Sequence, residues 1–362
     1  TTTGAWSFAD FYSYVCRMIG QNGRRGALMI SLDIRHPDVL EFIKMKHDLT
    51  KVTGANVSVR ITDDFMNAVM NGEDYELHFP VGSPTPEFTN IVKARDVWQE
   101  IVESATKTAE PGILMWDNIT KNLPAESYSA QGFKTLTTNP CGEIPLSAYD
   151  SCRLISINLK NFVKQRWTEG AHFDLEEFAG TVRKAMRLSD DLVELEVEKL
   201  EAILCAADTM DERQLWSNLL EACTKGRRTG LGTHGLADAI AGLGLAYDSP
   251  EALEVIDRIY ETLKIAAYTE SVELAKERGA FPIFNWETEC NNGFIQSLPE
   301  ELREAIREFG RRNISILTNA PTGSVSIMSQ TSSGLEPVFR NWYTRRRKLS
   351  HNETDQTADF ID

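Results

Sequence analysis

No two of the six cysteines form a CxxC pair; they lie at positions 16, 141, 152, 205, 223 and 290. That spacing argues against a zinc ribbon or a disulfide framework and leaves thiols of a reducing compartment, either packed or reactive. No apolar run approaches the length of a membrane span, and the opening Thr1-Thr2-Thr3-Gly4-Ala5-Trp6 is not a signal peptide. The expectation is a cytoplasmic protein with no membrane partner and no metal site. Positive charge is also scarce, with 38 Lys and Arg against 53 Asp and Glu for a net charge of -15. A nucleic-acid backbone needs a dense positive footprint, so it is excluded as a partner, while local sites for nucleotide phosphates stay open. Low-complexity segments and fixed-period repeats are absent too.

What is present is an ordinary globular composition, 362 residues with 42% hydrophobic and 25% charged, enough for a large core or two domains. Strand-like and helix-like runs alternate from the start, which predicts an α/β protein built on parallel strands. Ser7 caps a helix through about Ile19, Ala27–Leu32 reads as a buried strand, and Pro37 opens a helix to about Met45. Lys46–Ala55 is a polar loop before the strand Val57–Ile61, and Thr62-Asp63-Asp64 starts a helix at Phe65. Residues 82–92, with Pro84 and Pro86, read as a surface connection into a helix over Ala94–Thr106, and residues 118–138 as loop. Acidic helical runs follow over about Leu175–Leu204 and Asp211–Thr224. Leu253, Ile256, Ile259, Tyr260 and Leu263 at helical spacing predict a long helix from Pro250 to Arg278.

Asn139-Pro140-Cys141-Gly142-Glu143 concentrates the chemistry, with an amide, a thiol and a carboxylate at alternate positions. In an extended or tightly turned segment such positions point the same way and converge on one substrate. Cys152 stands eleven positions after Cys141, ahead of the strand-like Leu154-Ile155-Ser156-Ile157. Taken alone, the five residues are also compatible with a structural cysteine in a turn, and Cys152 with a buried core thiol. In Pro321-Thr322-Gly323-Ser324-Val325-Ser326 a glycine and three hydroxyls suit an anion-binding turn. Gly230-Leu231-Gly232-Thr233-His234-Gly235 satisfies GxGxxG, but no buried strand precedes it and no acidic residue ends a second strand about twenty residues on. A dinucleotide site is therefore rejected.

These motifs, in this order, resemble the large catalytic component of ribonucleotide reductase, most of all its adenosylcobalamin-dependent (class II) branch, with its NPCGE core and a cysteine eleven residues later. Gly23-Arg24-Arg25-Gly26-Ala27 leading into His36-Pro37-Asp38, Asn56-Val57-Ser58-Val59 leading into Thr62-Asp63-Asp64-Phe65-Met66, and Gly226-Arg227-Arg228-Thr229-Gly230-Leu231-Gly232 extend the likeness along nearly the whole chain. The resemblance implies a ten-stranded α/β barrel, two five-stranded parallel halves set antiparallel, with the Cys141 loop as a central finger. It also implies a barrel incomplete at both ends, lacking an upstream strand with the redox partner of Cys152 and a pair of tail cysteines. Within residues 1–362, residues 1–70 would form the effector and specificity region, 135–160 the finger loop and redox strand, and 315–340 the phosphate-binding region.

The chemistry implied is reduction of ribonucleoside di- or triphosphates to 2'-deoxyribonucleotides. By this likeness Cys141 carries a thiyl radical, Glu143 is the base on the 3'-hydroxyl, Asn139 holds the ribose hydroxyls and Cys152 supplies reducing equivalents. Pro321, Thr322, Gly323, Ser324, Val325 and Ser326 take the substrate phosphates. Arg24, Arg25, Lys46, Lys51 and Asn56 belong to the site and specificity loop of a dNTP or ATP effector. Gly230–Gly235 becomes a turn and helix start, with His234 structural. Adenosylcobalamin as cofactor, a thioredoxin-like or dithiol reductant, and a homodimer formed near the helix from Ser7 complete the expectation. The alternatives are a class I large subunit served by a separate metal-containing subunit, and a catalytically silent nucleotide-binding fragment of a split enzyme.

Overall fold

The alternation of polar and β-branched residues in Asn56–Ile61 sets the layering of the site-bearing part of the molecule. The computed structural model describes residues 3–19, 26–340, 342–348 and 357–361. It falls into two units, one of Thr1–Leu154, Met186–Gly230 and Ala267–Thr318, the other of Ile155–Ala185, Leu231–Ala266 and Asn319–Asp362. The first unit opens with strands β1 (Met29–Asp33), β2 (Asn56–Ile61), β3 (Asp74–Phe79), β4 (Phe88–Lys93) and β5 (Gly112–Met115). Its first helices are α1 (Ala5–Met18), α2 (Val39–Lys44), α3 (Asp63–Asn71) and α4 (Ala94–Thr108). Strands β1, β2 and β5 form a parallel sheet in that order, and β3 and β4 an antiparallel hairpin.

Successive side chains of a strand point to opposite faces. Val57, Val59 and Ile61 of β2 enter a core shared with Phe42 and Ile43 of α2, Phe65 and Ala68 of α3, and Val97 and Ile101 of α4. Asn56, Ser58 and Arg60 point the other way, and the register sets Ser31 of β1 beside Ser58 on that polar face. Burying a Val or Ile side chain is worth about 1.5–3 kcal/mol, so the apolar face fixes the register and the polar face follows from it.

The long helices lie where periodicity puts them: Leu175–Ala206, Met210–Gly226 and Pro250–Arg278. Met210–Gly226 starts with a capping box, in which the Thr209 side chain accepts from the Glu212 N–H and Glu212 reaches back to the Thr209 backbone. Elsewhere the structure corrects the reading. Phe88–Lys93 is strand rather than connection; it is almost wholly exposed and so carries no apolar period, while its partner β3 buries Tyr75 and Leu77. Residues 118–138 hold most of the helix Trp116–Asn122 and a 3-10 segment, Pro124–Gln131. Thr229–His234 is a fully buried strand rather than a turn, paired with Arg153–Asn158. The turn comes one residue later, at Gly235 with φ +72°, and the helix at Leu236–Gly242. The α/β content is as expected, but among the described residues the strands form one three-stranded sheet and several pairs, with no closed barrel. Among them, no helix is long and apolar enough to cross a membrane.

Candidate active site

The Asn139–Glu143 run forms the end of a small hairpin. Thr137–Thr138 pairs antiparallel with Pro145–Leu146. The loop between them is closed by Asn139 N–H to the Ile144 carbonyl at 3.1 Å, Ile144 N–H to Asn139 Oδ1 at 3.0 Å, and Gly142 N–H to the Asn139 carbonyl at 3.0 Å. Gly142 adopts φ +86°, a region that a Cβ disfavours, so the chain turns back directly after Cys141 and leaves that thiol exposed. Because the Asn139 oxygen is committed to Ile144, its two amide hydrogens remain to donate.

The polar face of the β1–β2–β5 sheet holds this hairpin. Ser31 Oγ lies 2.9 Å from Thr137 Oγ1, Arg60 donates to the Leu136 carbonyl at 3.0 Å, and Asn56 Nδ2 donates to the Pro140 carbonyl at 3.0 Å. Asn56, expected in the specificity loop, thus reaches the backbone immediately before Cys141. Strand alternation joins the two motifs, although 84 positions separate the bonded residues.

The charge of Glu143 acts on both thiols. Its Oε2 is buried and has no hydrogen-bond partner among the described residues, while its main-chain carbonyl accepts from Thr318 Oγ1 at 2.8 Å. The Cys141 thiol is raised above its ordinary range by burial and then by the Glu143 charge. Burial pushes Cys152 up to about 12, against the downward pull of Arg228 and Arg153. That pull is blunted because each guanidinium already faces a carboxylate: Arg228 Nε lies 2.6 Å from Asp150, and Arg153 Nε 2.5 Å from Glu196. At neutral pH Cys152 is therefore a thiol rather than a thiolate.

The Cys152 sulfur sits against Gly230 on the neighbouring strand. A Cβ at Gly230 would lie 2.4 Å from Cys152 Sγ, 2.8 Å from Thr318 Cγ2 and 2.9 Å from Leu154 Cδ2. The first glycine of the GxGxxG run thus makes room for a sulfur. Asp150, Arg228, Gly230 and Thr318 were missed as site residues; the available signal was the charged pair of flanks, Asp150-Ser151-Cys152-Arg153 and Arg227-Arg228, around an apolar thiol.

The remaining candidates are placed less uniformly. Lys46 Nζ is bound to the Ala55 carbonyl and Glu110, and Lys51 Nζ lies 4.5 Å from the Trp6 ring centroid. Residues 46–56 are fastened to α1 through Val52 N–H to Asp10 and Gly54 N–H to Ser13 Oγ, each at 2.8 Å, rather than lying free as a solvent loop. Arg24 and Arg25 lie outside the described residues. In the second unit, Gly323–Ser329 is a short helix entered through Thr322 at φ +55°. Gly323, Ser324 and Val325 are exposed, as is Pro321. The Thr322 hydroxyl accepts from Gly334 N–H at 2.8 Å, and the buried Ser326 hydroxyl donates to the Gly323 carbonyl at 3.1 Å, so these two are already engaged. His234 is buried between Ser156 Oγ at 2.8 Å and Ser329 Oγ at 3.1 Å, and burial lowers its pKa. Cys223 is buried and takes a hydrogen bond from Arg153 at 2.8 Å; Cys205 is exposed, and Cys16 and Cys290 are half-buried.

The family model for the barrel domain of ribonucleotide reductase matches residues 1–359. The chain belongs to the ribonucleotide reductase family. It is 33% identical over 347 residues to a vitamin B12-dependent ribonucleoside-diphosphate reductase of Mycobacterium tuberculosis, covering 95% of this chain and 44% of that protein. Another protein of that name, from Thermoplasma acidophilum, is 33% identical over 348 residues, 95% of this chain and 40% of its own length. The ribonucleoside-diphosphate reductase large subunit of Variola virus is 26% identical over 375 residues, 92% of this chain and 45% of the viral one. The chain thus spans less than half the length of these ribonucleotide reductase relatives.

Proposed function

We propose that this chain is catalytic barrel sequence of an adenosylcobalamin-dependent ribonucleotide reductase, which reduces ribonucleoside di- or triphosphates to 2'-deoxyribonucleotides. The observation that carries the reading is the juxtaposition of an exposed Cys141 with a buried, unpartnered Glu143 carboxylate oxygen. A buried carboxylate oxygen without a donor is costly, and a substrate hydroxyl would satisfy it. The names of the bacterial and archaeal relatives favour the cobalamin branch. In the whole protein the sheet would close as a ten-stranded barrel around the hairpin.

In this mechanism the Cys141 thiyl takes the hydrogen from the ribose 3'-carbon, forming the Cys141 thiol and a carbon radical. Glu143 accepts the 3'-hydroxyl proton while the 2'-hydroxyl, protonated by a redox-cysteine thiol, leaves as water. The Asn139 amide hydrogens hold the sugar. Cys152 and a second cysteine of the whole protein form a disulfide: one of their two hydrogens has left in the water, and the other goes to the 2'-carbon in place of the hydroxyl. Glu143 returns its proton to the 3'-oxygen, and Cys141 gives its hydrogen back to the 3'-carbon. Adenosylcobalamin supplies the radical that starts the cycle; the exposure of Cys141 fits approach of a bulky group, and Cys141 is the residue here that would meet it. The open first turn at Gly323–Val325 would take the substrate phosphates, and a thioredoxin-like protein or a dithiol would regenerate the cysteine pair.

Glu143→Gln keeps the shape and removes the base. The rate of deoxyribonucleotide formation in the complete enzyme should fall at least about a hundredfold, with substrate affinity retained; a wild-type rate removes Glu143 from the mechanism. The viral relative favours a second reading, a class I large subunit fed by a separate radical-bearing subunit. Activity without cobalamin, restored by such a subunit, would decide for it.

Effector control would act through residues 46–56 and α1. A dNTP or ATP that shifts this segment also shifts Asn56, and with it the Pro140 carbonyl. Asn56→Ala should change the base preferred with a given effector several-fold, in keeping with couplings of about 1–3 kcal/mol, and change the best achievable rate less. Equal loss with all four substrates would refute the specificity role. On α1, Phe8, Phe11, Tyr12, Tyr14 and Met18 are each more than half exposed, the kind of surface a homodimer would cover.

A further inference from the structure

We propose that Thr318 is a positioning residue that holds the Cys141 loop and the Cys152 strand in one register. Residues 314–318 run alongside the start of the Thr229–His234 strand, with Ile314 N–H to the Gly226 carbonyl at 2.8 Å and Thr229 N–H to the Ser315 carbonyl at 3.0 Å. At the end of this extended segment the two branches of the Thr318 side chain do different work. The hydroxyl donates to the Glu143 carbonyl at 2.8 Å, fixing the loop at its end beyond Cys141. The methyl closes on the point where Cys152 Sγ and Leu154 crowd the missing side chain of Gly230.

A β-branched side chain is stiff about χ1, so the direction of the hydroxyl dictates that of the methyl. Displacing the loop therefore displaces the methyl that shares the space at Gly230 with the Cys152 sulfur. Asn56 before Cys141 and Thr318 after it clamp the loop at Pro140 and Glu143, but of the two only Thr318 also packs at Gly230, where the second thiol sits. Its importance for catalysis rests on the reading of Cys141 and Cys152 as the reacting pair, whereas the positioning itself can be measured without turnover.

The test uses the whole chain, with iodoacetamide alkylation of each cysteine followed by peptide mass spectrometry, and amide exchange over residues 139–144. Thr318→Ser keeps the hydroxyl and removes the methyl. Cys152 should then alkylate several-fold faster, while Cys141 and the exchange of the loop stay as in the parent. Thr318→Val keeps the shape and removes the donor. Loop exchange should rise about fivefold, the loss of one ordinary hydrogen bond, and Cys141 alkylation should change with it, while Cys152 does not. If both variants move both thiols alike, or Thr318→Ser leaves Cys152 at its parent rate, the assignment is overturned. Should Thr318→Val not melt cooperatively, the Thr318→Ser result decides by itself. Activity of the complete enzyme with Cys141→Ser separately decides whether these are the reacting cysteines.

Discussion

Cys141→Ser in the complete enzyme should abolish deoxyribonucleotide formation while nucleotide binding survives. Abstraction from the ribose 3'-carbon requires a radical that forms readily and still takes a C–H hydrogen, which a thiyl does; an alkoxyl at serine is far harder to generate. The structure removes the usual confusion with misfolding. Cys141 is exposed, and the loop is held by Asn139, Gly142 and Ile144 backbone groups rather than by the sulfur. A substitution at such a position typically changes stability by no more than about 0.5 kcal/mol. The serine variant should therefore show the parent melting temperature and nucleotide affinity with no product. Multiple turnovers by that variant would sink the thiyl assignment.

The sequence revealed local structure well and lateral contacts poorly, for a physical reason. Leu175–Ala206 and Pro250–Arg278 were legible because an apolar stripe at helical spacing is a property of the segment itself. The β3–β4 hairpin was not, since an exposed strand need not alternate and Pro84 and Pro86 suggested an interruption. Thr229–His234 misled because glycine in a run is read as a turn, whereas here Gly230 is small so that Cys152 can sit against it. Asn139, Cys141 and Glu143 can be proposed from the sequence because their chemistry is adjacent in it. The residues that hold them, Ser31, Asn56, Arg60 and Thr318, become neighbours only once β1 and β2 are in register and the chain returns at residues 314–318.

Arg228→Met should be the most destabilising single change near the site. Its guanidinium and the Asp150 carboxylate are 2.6 Å apart, with side chains only 2% and 1% exposed. Removing one member of such a pair strands the other as a buried charge, which costs about 3–5 kcal/mol. Against a total stability of typically about 5–15 kcal/mol, that is a large fraction. Replacing both members costs less, because nothing charged remains to be desolvated. The double variant Asp150→Asn with Arg228→Met should therefore be more stable than Arg228→Met alone; the amide oxygen of an asparagine can still accept from Ser151 N–H, as Asp150 does at 2.9 Å. Urea titration reads this as a midpoint lowered in the single variant and partly restored in the double, at unchanged slope. A double variant as unstable as the single would mean that lost packing, rather than a stranded carboxylate, sets the cost. Cys152 serves as the local reporter. It stands two positions after Asp150 and its sulfur sits against Gly230, two positions after Arg228, so its alkylation should quicken in the single variant at urea concentrations well below the unfolding midpoint.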